Sequence, residues 1–539
     1  MRLSSIFLGA GLTCVLAAKA PRFRPAEDLP PVQRDVAFPN DPLFIEMPLD
    51  HFSNSTSVKF LNRYWVNATY YEGGGPVILF DSGEQNAEPL LPYYLQEYHG
   101  LSATMQVAKR YKGVAVLWEH RFYGDSLPFP VNENTTAEQW QFLTTEQALE
   151  DVVYFADHFT LNSTRRSLHP SDVPWIWLGG SYPGIRGALM RVRNPEVIYA
   201  AWASSAPVQA QIDMAAYYKA AERSLTRNCS ADWIAVTKYV DDVLANGTQT
   251  EQTKMKSRLL SARASSPGWN ITVSGNGASN VNAASVLMDP LNFYQYYGFA
   301  ASLLPFCNIL ETRNNTAAPL ESGIAAASGV EDALSAFLTS VAQVNYDAIP
   351  GVPDDPVQDR SWMRQYCSEY GFYQRGDPSN SLSIETSFLS LELFQEQCNE
   401  TFPDLGGPPK VENVNKYGGW GMEVSNVLFT NGEFDPWRTM GLASIEPNSP
   451  MRQPNPAVPA CNVAPIAPSF FGLTHANMVH VSDMRVILTP DANHTGFKTV
   501  GFYSPISQEP FYSGLALFQL ALDEWLPCFS SNSGAAVSR

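Results

Sequence analysis

Short, continuous apolar runs alternate with segments of helical spacing through the first third of the chain. Residues 76–80 (Pro-Val-Ile-Leu-Phe), 114–118 (Val-Ala-Val-Leu-Trp), 175–178 (Trp-Ile-Trp-Leu) and 199–203 contain no alternation of apolar and polar positions. Such runs read as strands buried on both faces. Segments 101–111, 145–159 and 185–192 between them have helical spacing. Strands and helices alternating at this interval predict a parallel, doubly wound sheet, an α/β fold. Ahead of it, residues 50–70 alternate, with Phe60, Tyr64 and Val66 among the β-formers, and predict early antiparallel strands.

The alternation stops near residue 207. From there to about 409 the chain reads as helical with long loops: 215–225 and 233–244 have helical spacing, 292–304 is aromatic-rich, and 265–284 is a Gly/Ser/Asn-rich loop. A buried strand returns at 424–430. A proline-rich loop covers 446–468, a last short strand is expected at 477–479, and 511–526 closes the chain as an amphipathic helix with Leu515, Phe518, Leu522 and Trp525 on one side. The expected organisation is therefore an N-terminal segment 1–20, an extended proline-rich arm 21–42, a sheet domain in two parts, 43–206 and 415–539, and a mostly helical insertion 207–414.

Residues 1–20 carry Arg2, an apolar run from 6 to 18 and small residues at Ala17, Ala18 and Ala20. This is the pattern of a secretory signal peptide, too short for a membrane span, and no membrane anchor is expected. Export changes the reading of the cysteines. Cys14 leaves with the signal, and in an oxidising compartment the remaining six suit disulfides. Proximity and region favour Cys367–Cys398 and Cys461–Cys528, which leaves Cys229–Cys307; a buried free thiol is the alternative for each. N-x-S/T sequons at Asn54, Asn67, Asn134, Asn162, Asn228, Asn246, Asn270, Asn314, Asn399 and Asn493 fit the same secreted route.

The 539 residues are 45% hydrophobic and 16% charged, enough to bury a sizeable core and too apolar for disorder. A net charge of −18 without a basic patch argues against a nucleic-acid partner. No cysteine has metal-ligand spacing, and no motif for a metal or organic cofactor is present.

Candidate chemistry centres on Gly179-Gly180-Ser181-Tyr182-Pro183-Gly184, where a strand runs through a glycine pair into a helix. A serine at such a turn presents its hydroxyl above the sheet, as in the G-x-S-x-G nucleophile elbow. Here Pro183 takes the place of the last glycine, and Gly184 follows one residue later; an ordinary strand–turn–helix junction is the alternative. A nucleophilic serine needs a base and an orienting acid, which in this architecture follow in the order Ser, Asp, His. Asp435 ends the strand 424–430 after a glycine turn, although Asp-Pro also suits a turn aspartate bonded to its own backbone. Of the later histidines, His494 lies inside a sequon and His475 reads as a loop or core residue, so His480 is favoured as base. His120, ahead of the serine, reads as structural. The oxyanion would be bound by the Tyr182 amide and by the loop after the first buried strand, around Gly83 and Glu84.

Several stretches together resemble one family, the S28 serine peptidases. They are Asp50-His51-Phe52, Gly83-Glu84 after the glycine–Pro76 strand, residues 119–124 (Glu-His-Arg-Phe-Tyr-Gly), residues 146–151 (Glu-Gln-Ala-Leu-Glu-Asp), residues 179–182, residues 367–371 (Cys-Ser-Glu-Tyr-Gly), residues 431–437 (Asn-Gly-Glu-Phe-Asp-Pro-Trp) and residues 480–483 (His-Val-Ser-Asp). The resemblance implies an α/β-hydrolase sheet with a helical cap inserted between serine and aspartate. It implies peptide or protein substrates cut after proline, sometimes alanine, at acidic pH, with Ser181 as nucleophile, Asp435 as orienting acid and His480 as base. Trp437 would line the pocket for the residue before the scissile bond, core packing being its alternative. Glu84 would hold a free substrate amine, local pairing being its alternative. Pro183, and Val481 in place of a cysteine after the histidine, depart from the family pattern. A serine carboxypeptidase or esterase of another α/β-hydrolase family, or a non-catalytic binding glycoprotein, are the competing readings.

Overall fold

The computed structural model describes residues 41–53, 57–95, 102–266, 275, 277–292, 294–343, 355–484, 488–490, 497–499 and 514–530. The expected signal peptide, most of the arm, Asn54, Asn270, Asn493 and His494 lie outside these residues.

Nine strands form one sheet: β1 (Leu43–Pro48), β2 (Lys59–Asn67), β3 (Val77–Asp81), β4 (Val114–Trp118), β5 (Trp175–Gly180), β6 (Ala200–Ser204), β7 (Val427–Gly432), β8 (Gln453–Asn455) and β9 (Ser469–His475), in the spatial order β1-β2-β4-β3-β5-β6-β7-β9-β8. β1 pairs antiparallel with β2 and β2 with β4, and every other pairing is parallel. This is an α/β-hydrolase sheet. β3, β4, β6 and β7 are buried along their whole length, which is why their sequences carry no polar alternation. The helices Ala103–Tyr111, Thr145–His158 and Tyr182–Arg193 occupy the expected segments.

The expected strand at 477–479 is not formed. The strand there is β9, which starts directly after Pro468 and pairs Gly472 with Phe429. A Cβ at Gly472 would collide with the Phe429 carbonyl and the Phe470 ring. The glycine that lets β9 lie close to β7 is the one that breaks its apolar run in the sequence. β8 falls inside the expected loop 446–468.

Two compact units emerge from the packing. The sheet unit includes the described chain from Asp41 to Gln211, takes up Pro353–Gly371 and resumes at Asp404. On one side of its sheet, Ile176, Leu178 and Trp202 pack with Phe518, Leu522 and Trp525 of the closing helix Gly514–Trp525. Each such side chain contributes about 1.5–3 kcal/mol of burial. The Cys461–Cys528 disulfide ties the end of that helix to the loop before β9. The second unit comprises Ile212–Val352 and Phe372–Pro403 and is mostly helical. There Trp233 packs with its ring centroid 5.1 Å from Phe306 and 5.5 Å from Phe337. The Cys229–Cys307 disulfide joins helix Arg227–Asn246 to helix Leu304–Glu311.

Asn134, Asn162, Asn246, Asn314 and Asn399 are exposed, and Asn228 is half-buried with its amide on Glu311. Asn67 is a correction to the sequon reading. It sits on β2, is buried, and donates its Nδ2 to the Leu95 carbonyl at 2.7 Å, so the atom a glycan needs faces inward.

Candidate active site

Ser181 follows β5 directly and stands at φ 66, ψ −129, a conformation that non-glycine residues rarely adopt. Its amide donates to the Ser204 carbonyl at 2.8 Å, and its own carbonyl accepts the Ile185 amide at 3.0 Å, which starts the helix Tyr182–Arg193. The close approaches expected of an elbow are met by Gly179 and Gly184. A Cβ at Gly179 would lie 2.6 Å from the Pro183 carbonyl oxygen, and one at Gly184 would lie 3.0 Å from the Ser204 carbonyl oxygen. Gly184 thus supplies the tight packing that the missing fifth-position glycine would have given. Pro183 is in the first helical turn, where its absent N–H has no intrahelical partner to lose. Its ring fills the space beside Gly83, itself at φ 61.

Asp435 ends the turn after β7 and is fully buried. Its Oδ1 accepts both the Trp437 amide at 2.9 Å and His480 Nδ1 at 2.9 Å, while Oδ2 accepts Asn431 Nδ2 at 3.2 Å. The geometry thus contains both contacts that the sequence suggested for Asp435, one to its own Asp-Pro turn and one to a histidine. With the Nδ1 proton directed at a carboxylate, His480 presents Nε2 as an acceptor, and Nε2 makes no hydrogen bond among the described residues, Ser181 included. The serine and histidine are brought together through their neighbours: Val481 occupies the space where a Cβ of Gly180 would be. His475, the other described histidine after Ser181, faces away into a contact with Asp483, Nε2 to Oδ2 3.3 Å.

The loop after β3 departs from the oxyanion expectation. The Gly83 amide donates to Asp81 Oδ1 at 3.2 Å, and the Glu84 carboxyl bonds its own backbone amide. Of the expected donors, only the Tyr182 amide sits in the first turn of a helix, where backbone N–H groups have no intrahelical acceptor. Glu84 is 3% exposed, and its Oε2 has no hydrogen-bond partner among the described residues. Burial pushes its carboxyl up to about 8, with Asp81 adding to the effect and Arg186 opposing it. Trp437 is buried with its ring centroid 6.2 Å from that of His480.

Beneath the elbow lie Arg186 and Asp81, which sequence reasoning did not assign, and His120, which it read as structural. Arg186 places Nη1 2.7 Å from each Asp81 oxygen and Nη2 2.8 Å from the Ala148 carbonyl. The signal was present as a cation in the first half of the helix, apart from Arg191 and Arg193 in its last turn, and a lone carboxylate ending an apolar strand. His120 forms part of a directed chain. Its Nδ1 lies 2.6 Å from the Arg121 carbonyl, its Nε2 accepts from the Tyr182 hydroxyl at 2.9 Å, and that hydroxyl accepts from Gln365 Nε2 at 2.7 Å. Burial, with the nearby Arg186, holds His120 well below its ordinary value, so it is neutral and this donor order is fixed. Among the described residues, no group of His, Cys, Asp or Glu could hold a metal ion.

The model of one protein family, serine carboxypeptidase S28, matches residues 47–452, which include Ser181 and Asp435 and stop short of His480. A probable extracellular serine carboxypeptidase of Arthroderma benhamiae is 29% identical over 74% of this chain; the match spans 59% of that protein's length. The thymus-specific serine protease of Homo sapiens is 29% identical over 74% of this chain and 77% of its own. The lysosomal Pro-X carboxypeptidase of Mus musculus is 26% identical over 74% of this chain and 79% of its own.

Proposed function

The chain belongs to the serine carboxypeptidase S28 family, and on that footing we propose that Ser181, His480 and Asp435 are the acyl-transfer residues of a secreted peptidase that cuts on the carboxyl side of proline, or of alanine, in mild acid. The observation that carries the reading is the 2.9 Å pairing of His480 Nδ1 with Asp435 Oδ1. It fixes the tautomer that leaves Nε2 able to take a proton from a hydroxyl.

In the reaction so read, the Ser181 hydroxyl attacks the carbonyl carbon of the residue before the scissile bond while His480 Nε2 takes its proton. The tetrahedral oxyanion is met by the Tyr182 amide. The long Gly83–Asp81 hydrogen bond leaves the Gly83 amide the loop donor most readily turned to the same oxygen. Collapse of the intermediate breaks the C–N bond, and His480 returns the proton to the departing amine. Water, deprotonated by His480, then hydrolyses the Ser181 ester.

Proline is favoured by the flat indole of Trp437 beside His480, which offers a wall to a pyrrolidine ring. A relative whose name specifies Pro-X cleavage supports the same preference. Glu84 enters mild acid as a neutral hydrogen-bond donor, because its carboxyl is pushed up to about 8. A carbonyl or carboxylate oxygen of the substrate suits it better than a free amine. Secretion is supported by the N-terminal signal pattern and by the extracellular relative. No described helix is long and apolar enough to cross a membrane.

The test compares the secreted protein with Ser181→Ala on matched peptides bearing Pro, Ala or Leu before the scissile bond, with free or blocked ends, from acidic to neutral pH. Cleavage after proline that disappears in the variant is expected. Equal cleavage by both proteins would end the serine-nucleophile reading, and cleavage after leucine alone would end the proline one.

A further inference from the structure

His480 lies on no strand or helix; it opens a turn, and the next residue, Val481, stands at φ 53. A β-branched residue in the left-handed region is strained and persists only where its surroundings over-determine it. What holds this turn comes from the end of β6. Ser205 Oγ accepts the Val481 amide at 2.8 Å, and Ser204 Oγ donates to Asp483 Oδ1 at 2.5 Å. The other oxygen of Asp483 faces His475 Nε2 at 3.3 Å. A Cβ at Gly514 would lie 2.7 Å from that oxygen, so the carboxylate fits only because glycine covers it. The Ser204 that grips Asp483 by its hydroxyl also accepts the Ser181 amide on its carbonyl at 2.8 Å. One residue therefore touches the backbone of the elbow serine and the turn that carries the histidine.

We propose that Asp483 is a positioning residue for the reaction: through Ser204 it locks the His480 turn to the backbone of Ser181, with the His475 ring beside it on the far side. The proposal rests on Ser181 and His480 being nucleophile and base. Asp483 touches no reacting atom; it acts by fixing where Nε2 stands. Burial alone would push its carboxyl up, but His475 and Ser204 hold it below its ordinary value, so it stays an acceptor in mild acid. The same contacts give His475 the structural place that its position after the serine left open.

Asp483→Ala and Ser204→Ala each break the clamp from one side, since the first removes the acceptor and the second the donor, and both leave the Ser181, His480 and Asp435 side chains in the chain. A displaced base slows chemistry more than binding, so each variant is expected to lower kcat roughly 10- to 100-fold with KM within about twofold. The rate of Ser181 labelling by an organophosphonate should fall in the same ratio. Because both changes break one clamp, the double variant should lose no more than the worse single one. Full kcat in both single variants would overturn the proposal. So would losses that multiply in the double variant, or a KM that rises in step with a falling melting temperature, since those mark general loosening. Ser181→Ala, run alongside, separates the two levels. If it is inactive while Asp483→Ala keeps full kcat, the clamp alone fails; if it is fully active, the nucleophile reading fails and takes the clamp with it.

Discussion

The ring of Pro183 sits in the space beside Gly83 that a side chain would otherwise fill. A departure from the usual elbow glycine is thus matched by a glycine on the facing loop. Val481 repeats the arrangement against Gly180. Both unusual residues have glycine partners, so the elbow keeps its close packing with a different distribution of bulk.

Gly83→Ala should therefore be costly on two counts, the contact with Pro183 and the positive φ of 61. Overpacking of this kind destabilises by roughly 1–3 kcal/mol. A urea melt is expected to show that loss, and Gly83→Ala with Pro183→Ala should recover the part due to contact and not the part due to φ.

Asp435→Asn keeps the shape of the turn but offers His480 an amide that can impose the wrong tautomer. A fall in kcat on the order of ten-thousand-fold is expected. Near-normal kcat on a proline peptide would show that Asp435 serves only its own turn.

Folding stability should peak in mild acid. Glu84 is pushed up to about 8 and Glu311 to about 7, chiefly by burial. For raised carboxyls the folded state holds the proton longer than the unfolded chain. Their stabilisation is thus complete below the ordinary value of 4.5 and is lost as pH rises through about 7 and 8. Asp151 and Asp483 run the other way: buried but held down by Arg121 and His51 and by His475, they lose stabilisation as pH falls below their ordinary 3.8. Melting temperatures across pH should trace this dome, and Glu84→Gln should flatten its alkaline side.

Tyr182→Phe removes the hydroxyl that donates to His120 Nε2 and accepts from Gln365. Two buried polar groups are left unpaired, at roughly 1–3 kcal/mol of stability. Chemical denaturation is the check, and a melt unchanged by the substitution would mean that the two groups find other partners.

Glycopeptide mass spectrometry of the secreted protein should find Asn134, Asn162, Asn246, Asn314 and Asn399 open to modification and Asn67 bare, its amide being spent on Leu95.

The buried strands were legible because burial on both faces writes an unbroken apolar run, as at β3, β4 and β7. Ser181 and Asp435 were legible because each closes such a run. His480 was favoured by order along the chain and by a local strand that is not formed, since the residues before it are a turn and the strand, β9, is disguised by Gly472. The clamp was not legible at all. Ser204 and Asp483 lie 279 residues apart, and a single polar contact at that separation leaves no periodicity to read. The neutral state of Glu84 is likewise a property of its surroundings and not of its neighbours in sequence.

The bridge between Cys461 and Cys528 closes a loop with a sequence separation of 67. His480 lies inside that loop; Ser181 and Asp435 lie outside it. A reductant that opens the bridge frees the closing helix Gly514–Trp525, on the chain after His480, from the loop before β9, while the link from His480 back to β9 stays intact. Among the described residues, a covalent loop therefore closes around one of the three proposed acyl-transfer residues and leaves the other two outside it.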